Sequence, residues 1–125
     1  MVIPVADIFN VEYDSKYARK IRKLADHYKV QHPEIQAPGE NGFLTLLEHA
    51  RREHLVVSGV INHSDIIDYQ GFVKEINGWL CTIAQLDNYG SDDGAIIIDA
   101  SGTTQLTCDG YDEIAYKILY DMNRI

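Results

Sequence analysis

The run from residue 55 to residue 108 constrains this chain most, because it holds five short apolar segments separated by turn residues. LVVSGVIN (55–62) meets a His63-Ser64-Asp65 turn, and IIDYQGFVKEI (66–76) meets Asn77-Gly78. WLCTIAQL (79–86) leads into the acidic loop DNYGSDDG (87–94), and AIIIDA (95–100) turns at Ser101-Gly102 into TTQLTC (103–108). β-Branched and aromatic residues bounded by Gly, Asn, Asp and Ser form strands, and connections this short join antiparallel neighbours. The pattern predicts a meander that bends into a small barrel.

Two local signals refine it. Ile67 and Tyr69 share one parity whereas Phe72 and Ile76 share the other, so the alternation slips near Gly71 and predicts a bulge or kink there. Asn77-Gly78 predicts a two-residue type I′ hairpin turn, whose central positions both need positive φ.

Helical patterns flank the strands. A first helix is expected from a cap at Asp14 or Ser15 to about Lys29, with Tyr17, Ile21, Leu24 and Tyr28 on one apolar stripe. Lys16, Arg19, Lys20, Lys23 and His27 fall on its opposite face. Two prolines and two glycines make 32–42 a loop. A second helix, 41–53, places Phe43, Leu46, Leu47 and Ala50 on one face, which His54 extends. A third, 111–122, places Tyr111, Ile114, Ala115, Ile118 and Met122 together, with Asp109 as its cap and Asp112 and Glu113 in its first turn. The apolar run within 1–11, broken by Pro4, suits a docking arm or an extra edge strand.

The expected fold is therefore α+β. An N-terminal helical hairpin precedes a five-stranded bent antiparallel small barrel, and a C-terminal helix caps it. The competing fold is an open five-stranded sheet with helices on one face. The length suits a single domain over 1–125, with the arm and two helices in 1–54, the strands in 55–108 and the last helix in 109–125.

A helix followed by five bent antiparallel strands, with Gly71 of GFVKEI midway along the second, resembles the Sm-like and SH3-like small barrels. The resemblance covers about residues 43–108 and lies in topology and pattern. It implies a binding platform. The turn Asp99-Ala100-Ser101-Gly102 departs from the basic-glycine signature that Sm-like RNA binders carry there, so their ring-forming, RNA-contacting role is not carried over.

Charge divides the chain. The net charge is −8, yet residues 14–30 carry six basic residues against two acidic ones, while 55–125 carry three basic against eleven acidic. An acidic barrel repels phosphate backbones, so nucleic acid is disfavoured as its partner. The basic helix face, Lys16, Arg19, Lys20, Lys23 and His27, is the alternative nucleic-acid site. The same asymmetry could steer a basic helix of one copy onto the acidic barrel of another. Among eight tyrosines, Tyr116 and Tyr120 sit at the edge of the last helix's apolar face and are the candidate interface residues.

No constellation for catalysis stands out. Ser58-Gly59 lacks the surroundings of a nucleophile elbow, no HExxH occurs, and Asp92-Asp93 and Asp112-Glu113 suit a solvated loop and a helix start. In the 87–94 loop Tyr89 and Ser91 interrupt the alternating ligands that calcium requires. The expectation is no catalytic residue, no metal and no cofactor. Cys81 and Cys108 lack metal or disulfide spacing, and no signal peptide or membrane-length apolar run is seen, so a reduced, cytoplasmic location is expected. The function expected is a non-catalytic protein-interaction or self-association module, a homo-oligomer or the partner of another protein, with no membrane contact.

Overall fold

A computed structural model describes residues 1–29 and 42–124 of the chain. The helices are α1 (Lys16–His27), α2 (Gly42–Glu53) and α3 (Tyr111–Met122). The strands are β1 (Val56–Ile61), β2 (Tyr69–Asn77), β3 (Leu80–Leu86), β4 (Asp92–Asp99) and β5 (Thr103–Cys108), and 3-10 turns occupy Val5–Asp7 and Ala100–Gly102. Two units form, Met1–Ile3 with Ile35–Ile125, and Pro4–Glu34. The helical-hairpin expectation concerns α1 and α2, which belong to different units; most of the loop expected at 32–42 lies outside the described residues.

In the larger unit the strands pair antiparallel in the order β4-β3-β2-β1-β5. The sheet is not closed into a barrel, which corrects that expectation. Closure would require β4 and β5 to pair, but they stand at opposite edges. Val2 occupies part of the outer edge of β5 instead. Its N–H donates to the Leu106 carbonyl (2.6 Å), and its carbonyl accepts from the Leu106 N–H (3.0 Å). The apolar N-terminus thus supplies an edge contact, which satisfies backbone groups an open edge would leave unpaired.

Alternation along the strands sorts the side chains onto two faces. On one, Val57, Tyr69, Val73, Cys81, Ile83 and Leu106 pack under Leu46, Leu47 and Ala50 of α2. On the other, Val56, Phe72 and Leu86 pack under Tyr116 and Tyr120 of α3. Helices therefore cover both faces, unlike the one-sided arrangement of the competing fold. Burial of each large apolar side chain contributes roughly 1.5–3 kcal/mol, so the α2 side supplies most of the core.

The parity slip has a different origin from the one the sequence suggested. Val73 pairs with Ile83 but Glu75 with Thr82, so Lys74 is the extra residue of the bulge. Beyond it Ile76 rejoins the face of Val73, while Phe72 belongs to the opposite face. Gly71 serves close approach. A Cβ there would collide with the Ala84 carbonyl of β3, and its φ of 154° disfavours any other residue. The β2–β3 loop is Gly78-Trp79, since Asn77 pairs directly with Leu80, one residue later than expected.

The smaller unit is described through the 3-10 turn Val5–Asp7 and α1. Ser15 caps α1, its Oγ accepting the Ala18 N–H at 3.0 Å. α1 buries none of its residues.

Candidate functional site

The apolar stripe that periodicity marks on α3 does not face the sheet. Tyr111 is 96% exposed, Ile114 40%, Ile118 54% and Met122 61%. The sheet side is made by Glu113, only 6% exposed, and by Tyr116 and Tyr120 three and seven residues later. Glu113 lies in the first turn, where free amides favour a carboxylate, but the cap is Gly110 and not Asp109.

Aromatic packing and the β3–β4 loop set this orientation; that loop is 87–91, shorter than the expected 87–94, because Asp92, Asp93 and Gly94 belong to β4. The Tyr120 ring meets Phe72 edge-on at 4.8 Å and 61°, and the Arg124 guanidinium lies 4.1 Å over it. The His54 ring stacks on Phe72 at 4.1 Å and 2°. His54 has left α2 with a φ of 53°, so its ring joins the α3 side of the sheet and does not extend the α2 core face. Desolvation lowers its pKa, helped by Lys74, Lys117 and Arg124 and opposed by Asp121. Asn123 Nδ2 donates to the Tyr89 carbonyl at 3.0 Å, which ties the loop to the end of α3. A Cβ at Gly90, whose φ is 75°, would press on Leu119 and on the Tyr120 backbone nitrogen, so loop and helix meet in direct contact.

That contact gives the acidic loop a structural task. Asp87 Oδ1 accepts the N–H groups of Tyr89 and Ser91, both at 2.9 Å, and so folds its own loop. Among the described residues no three His, Cys, Asp or Glu side chains gather as a metal set.

A second exposed surface lies on α1. Lys16, Arg19, Lys20 and Lys23, with Leu24, line one groove of about 550 Å³. Four of the five basic candidates therefore share a surface; the fifth, His27, instead sets its ring edge-on to Tyr28 at 4.9 Å. Arg19 is partly engaged, with Nε 3.8 Å from Asp14 Oδ1 and donating to the Ser15 carbonyl at 3.4 Å. Tyr17, Ile21, Leu24 and Tyr28 are exposed along the helix.

The candidate interface tyrosines are largely engaged within the chain. Tyr116 packs on the Val56–Phe72–Leu86 cluster, and burial, with Asp112 and Glu113, raises its pKa. Both thiols are free, and desolvation pushes each to about 11, so they are protonated and poorly nucleophilic near neutral pH. No helix among the described residues is long and apolar enough to cross a membrane. No protein-family model, curated protein or solved structure matches the chain.

The outward face of α3 is the site that reasoning from sequence missed. A signal for it existed in Tyr116 and Tyr120, which combine large apolar area with a polar tip and suit a half-wet helix–sheet seam. The isoleucines and Met122 were then surplus to the core.

Proposed function

We propose that this chain is a small non-catalytic interaction module, working in a reducing cytoplasm, whose binding surface is the outer face of α3. One observation carries the reading: Ile114, Ile118 and Met122 are exposed on a helix already anchored through its other side. Apolar residues aligned over two turns form a contiguous patch of the kind partners use. The sheet is read as an opened relative of the Sm-like and SH3-like small barrels, and the return of β5 to pair with β1 supports that kinship.

The test compares the chain with an Ile118→Glu/Met122→Glu variant, both immobilised and exposed to a cell extract. The variant should keep its melting temperature, because neither residue is core, and should release a partner the parent retains. Retention of every partner by the variant would end the reading.

The basic groove on α1 supports a second reading, polyanion binding. Each phosphate neutralised by Lys16, Lys20 or Lys23 releases counterions, so binding of labelled single-stranded RNA should fall steeply between low and physiological salt. Replacing those three lysines by Glu should abolish it, and binding that persists unchanged would exclude the groove.

A further inference from the structure

We infer that the occupant of the outer α3 face is α3 of a second copy, packed antiparallel about a two-fold axis at Ile118. The inference rests on the proposed reading of α3 as a binding surface and names its partner. The stripe is self-complementary. Placing Ile118 on the axis sets Ile114 against Met122 of the second copy, and Met122 against its Ile114, so the exposed apolar side chains of the stripe's centre are covered at once.

Charge follows the same register. Lys117 and Asp121 are one helical turn apart on one flank of the stripe, and the antiparallel arrangement brings Lys117 beside Asp121 of the second copy, twice over. A parallel pair, whose two-fold runs along the helices, would instead set this flank opposite the Ala115 and Leu119 flank of the other copy and form neither ion pair. Antiparallel packing also opposes the two helix dipoles, with Asp112 and Glu113 at each N-terminus near the C-terminal turn of the other helix. A single helix pair buries less than the roughly 1,600 Å² of a standard interface, so the dimer should be weak, dissociating in the range of about 10–100 µM.

The geometry makes a sharp prediction for cross-linking. Helices packed 8–10 Å apart, each with Cα atoms about 2.3 Å from its axis, bring residues on a two-fold axis to about 4–5 Å. That lies within disulfide reach. Residues four positions from the axis are about 12 Å from their own symmetry mates at 1.5 Å rise per residue. In a Cys108→Ser background, Ile118→Cys should therefore oxidise to a covalent dimer, whereas Ile114→Cys should not.

Sedimentation velocity of the full chain over about 1–500 µM tests the association itself. We expect a monomer–dimer equilibrium that Ile118→Glu weakens at least tenfold. Lys117→Glu should weaken it severalfold, and Lys117→Glu/Asp121→Lys should restore it, since the reversed pair re-forms. A chain that stays monomeric throughout overturns the self-pairing while leaving the α3 reading to the extract experiment. A dimer indifferent to Ile118→Glu, or one lost only on Lys20→Glu/Lys23→Glu, overturns it in favour of another face. Cross-linking of both cysteine variants would overturn the antiparallel register.

Discussion

α2 and α3 are both 12 residues long and both carry an apolar stripe at helical spacing, yet the sheet uses them in opposite ways. α2 turns its stripe inward, burying Leu46, Leu47 and Ala50 against one face. α3 turns its stripe outward and seats itself through Glu113, Tyr116 and Tyr120. The difference lies in what each face of the sheet presents. The α2 side is a broad floor, aliphatic around the buried Tyr69, whereas the α3 side offers only Val56, Phe72 and Leu86, with His54 stacked on Phe72. Tyrosines suit that smaller, aromatic and partly wet seat better than isoleucines do.

Matched truncations would break this contrast most directly. Leu47 is fully buried, so Leu47→Ala should cost about 3 kcal/mol of unfolding free energy. Ile118→Ala should cost no more than about 0.5 kcal/mol, as expected of an exposed residue. Urea denaturation of dilute protein reads both. Equal losses would mean that Ile118 is a core residue and that α3, like α2, turns its stripe toward the sheet.

The anchor of α3 can be tested next. Tyr120→Ala removes the ring held between Phe72 and Arg124 and should destabilise by about 2 kcal/mol. Thermal unfolding would show it, and a Tyr120→Phe control should retain most of the stability because the contacts are made by the ring. A loss as large in Phe as in Ala would move the anchoring from the ring to the hydroxyl.

Gly90→Ala probes the loop that locks the helix end. It forces a Cβ into a positive-φ position and toward the α3 backbone, at a cost of about 1–2 kcal/mol. Hydrogen exchange should show the C-terminal turn of α3 opening first, with α2 unchanged.

The strand pattern was legible because a period of two is a backbone property, and all five strands lie within a few residues of where alternation and turns placed them. The open sheet was foreseen only as the competing fold, and with helices on one face where the structure has them on both. Whether a meander closes depends on its two edges, and nothing in 55–108 foretells that Val2 pairs with Leu106. Gly71 was singled out correctly as special, but its reason, the Ala84 carbonyl beneath it, is a long-range contact; the bulge at Lys74 carries no glycine to announce it. For α1 the basic residues could be placed on one face by counting, and four of them line the groove. For α3 counting found the stripe, but periodicity has no sign. It says that apolar residues align, while the neighbours decide whether they point in or out.

His54 provides the finest test of the two-sided arrangement. Its ring lies against Phe72, and desolvation first, then Lys74, Lys117 and Arg124, hold its pKa below the ordinary 6.5 despite Asp121. As pH falls, the unfolded chain takes up this proton before the folded one does. Its contribution is therefore fully present above about pH 6.5 and is lost as pH falls from there through the folded-state value, where both forms are protonated and the slope ends. His54→Phe keeps a stacked ring without the charge, so the difference between parent and variant isolates the effect from carboxylates titrating at lower pH. Because His54 sits on the α3 side, acidification from pH 7 to 5.5 should weaken amide protection in α3 more than in α2. Equal weakening in both helices would mean that the proton acts on the whole unit, and that the two faces of the sheet are not separable in stability.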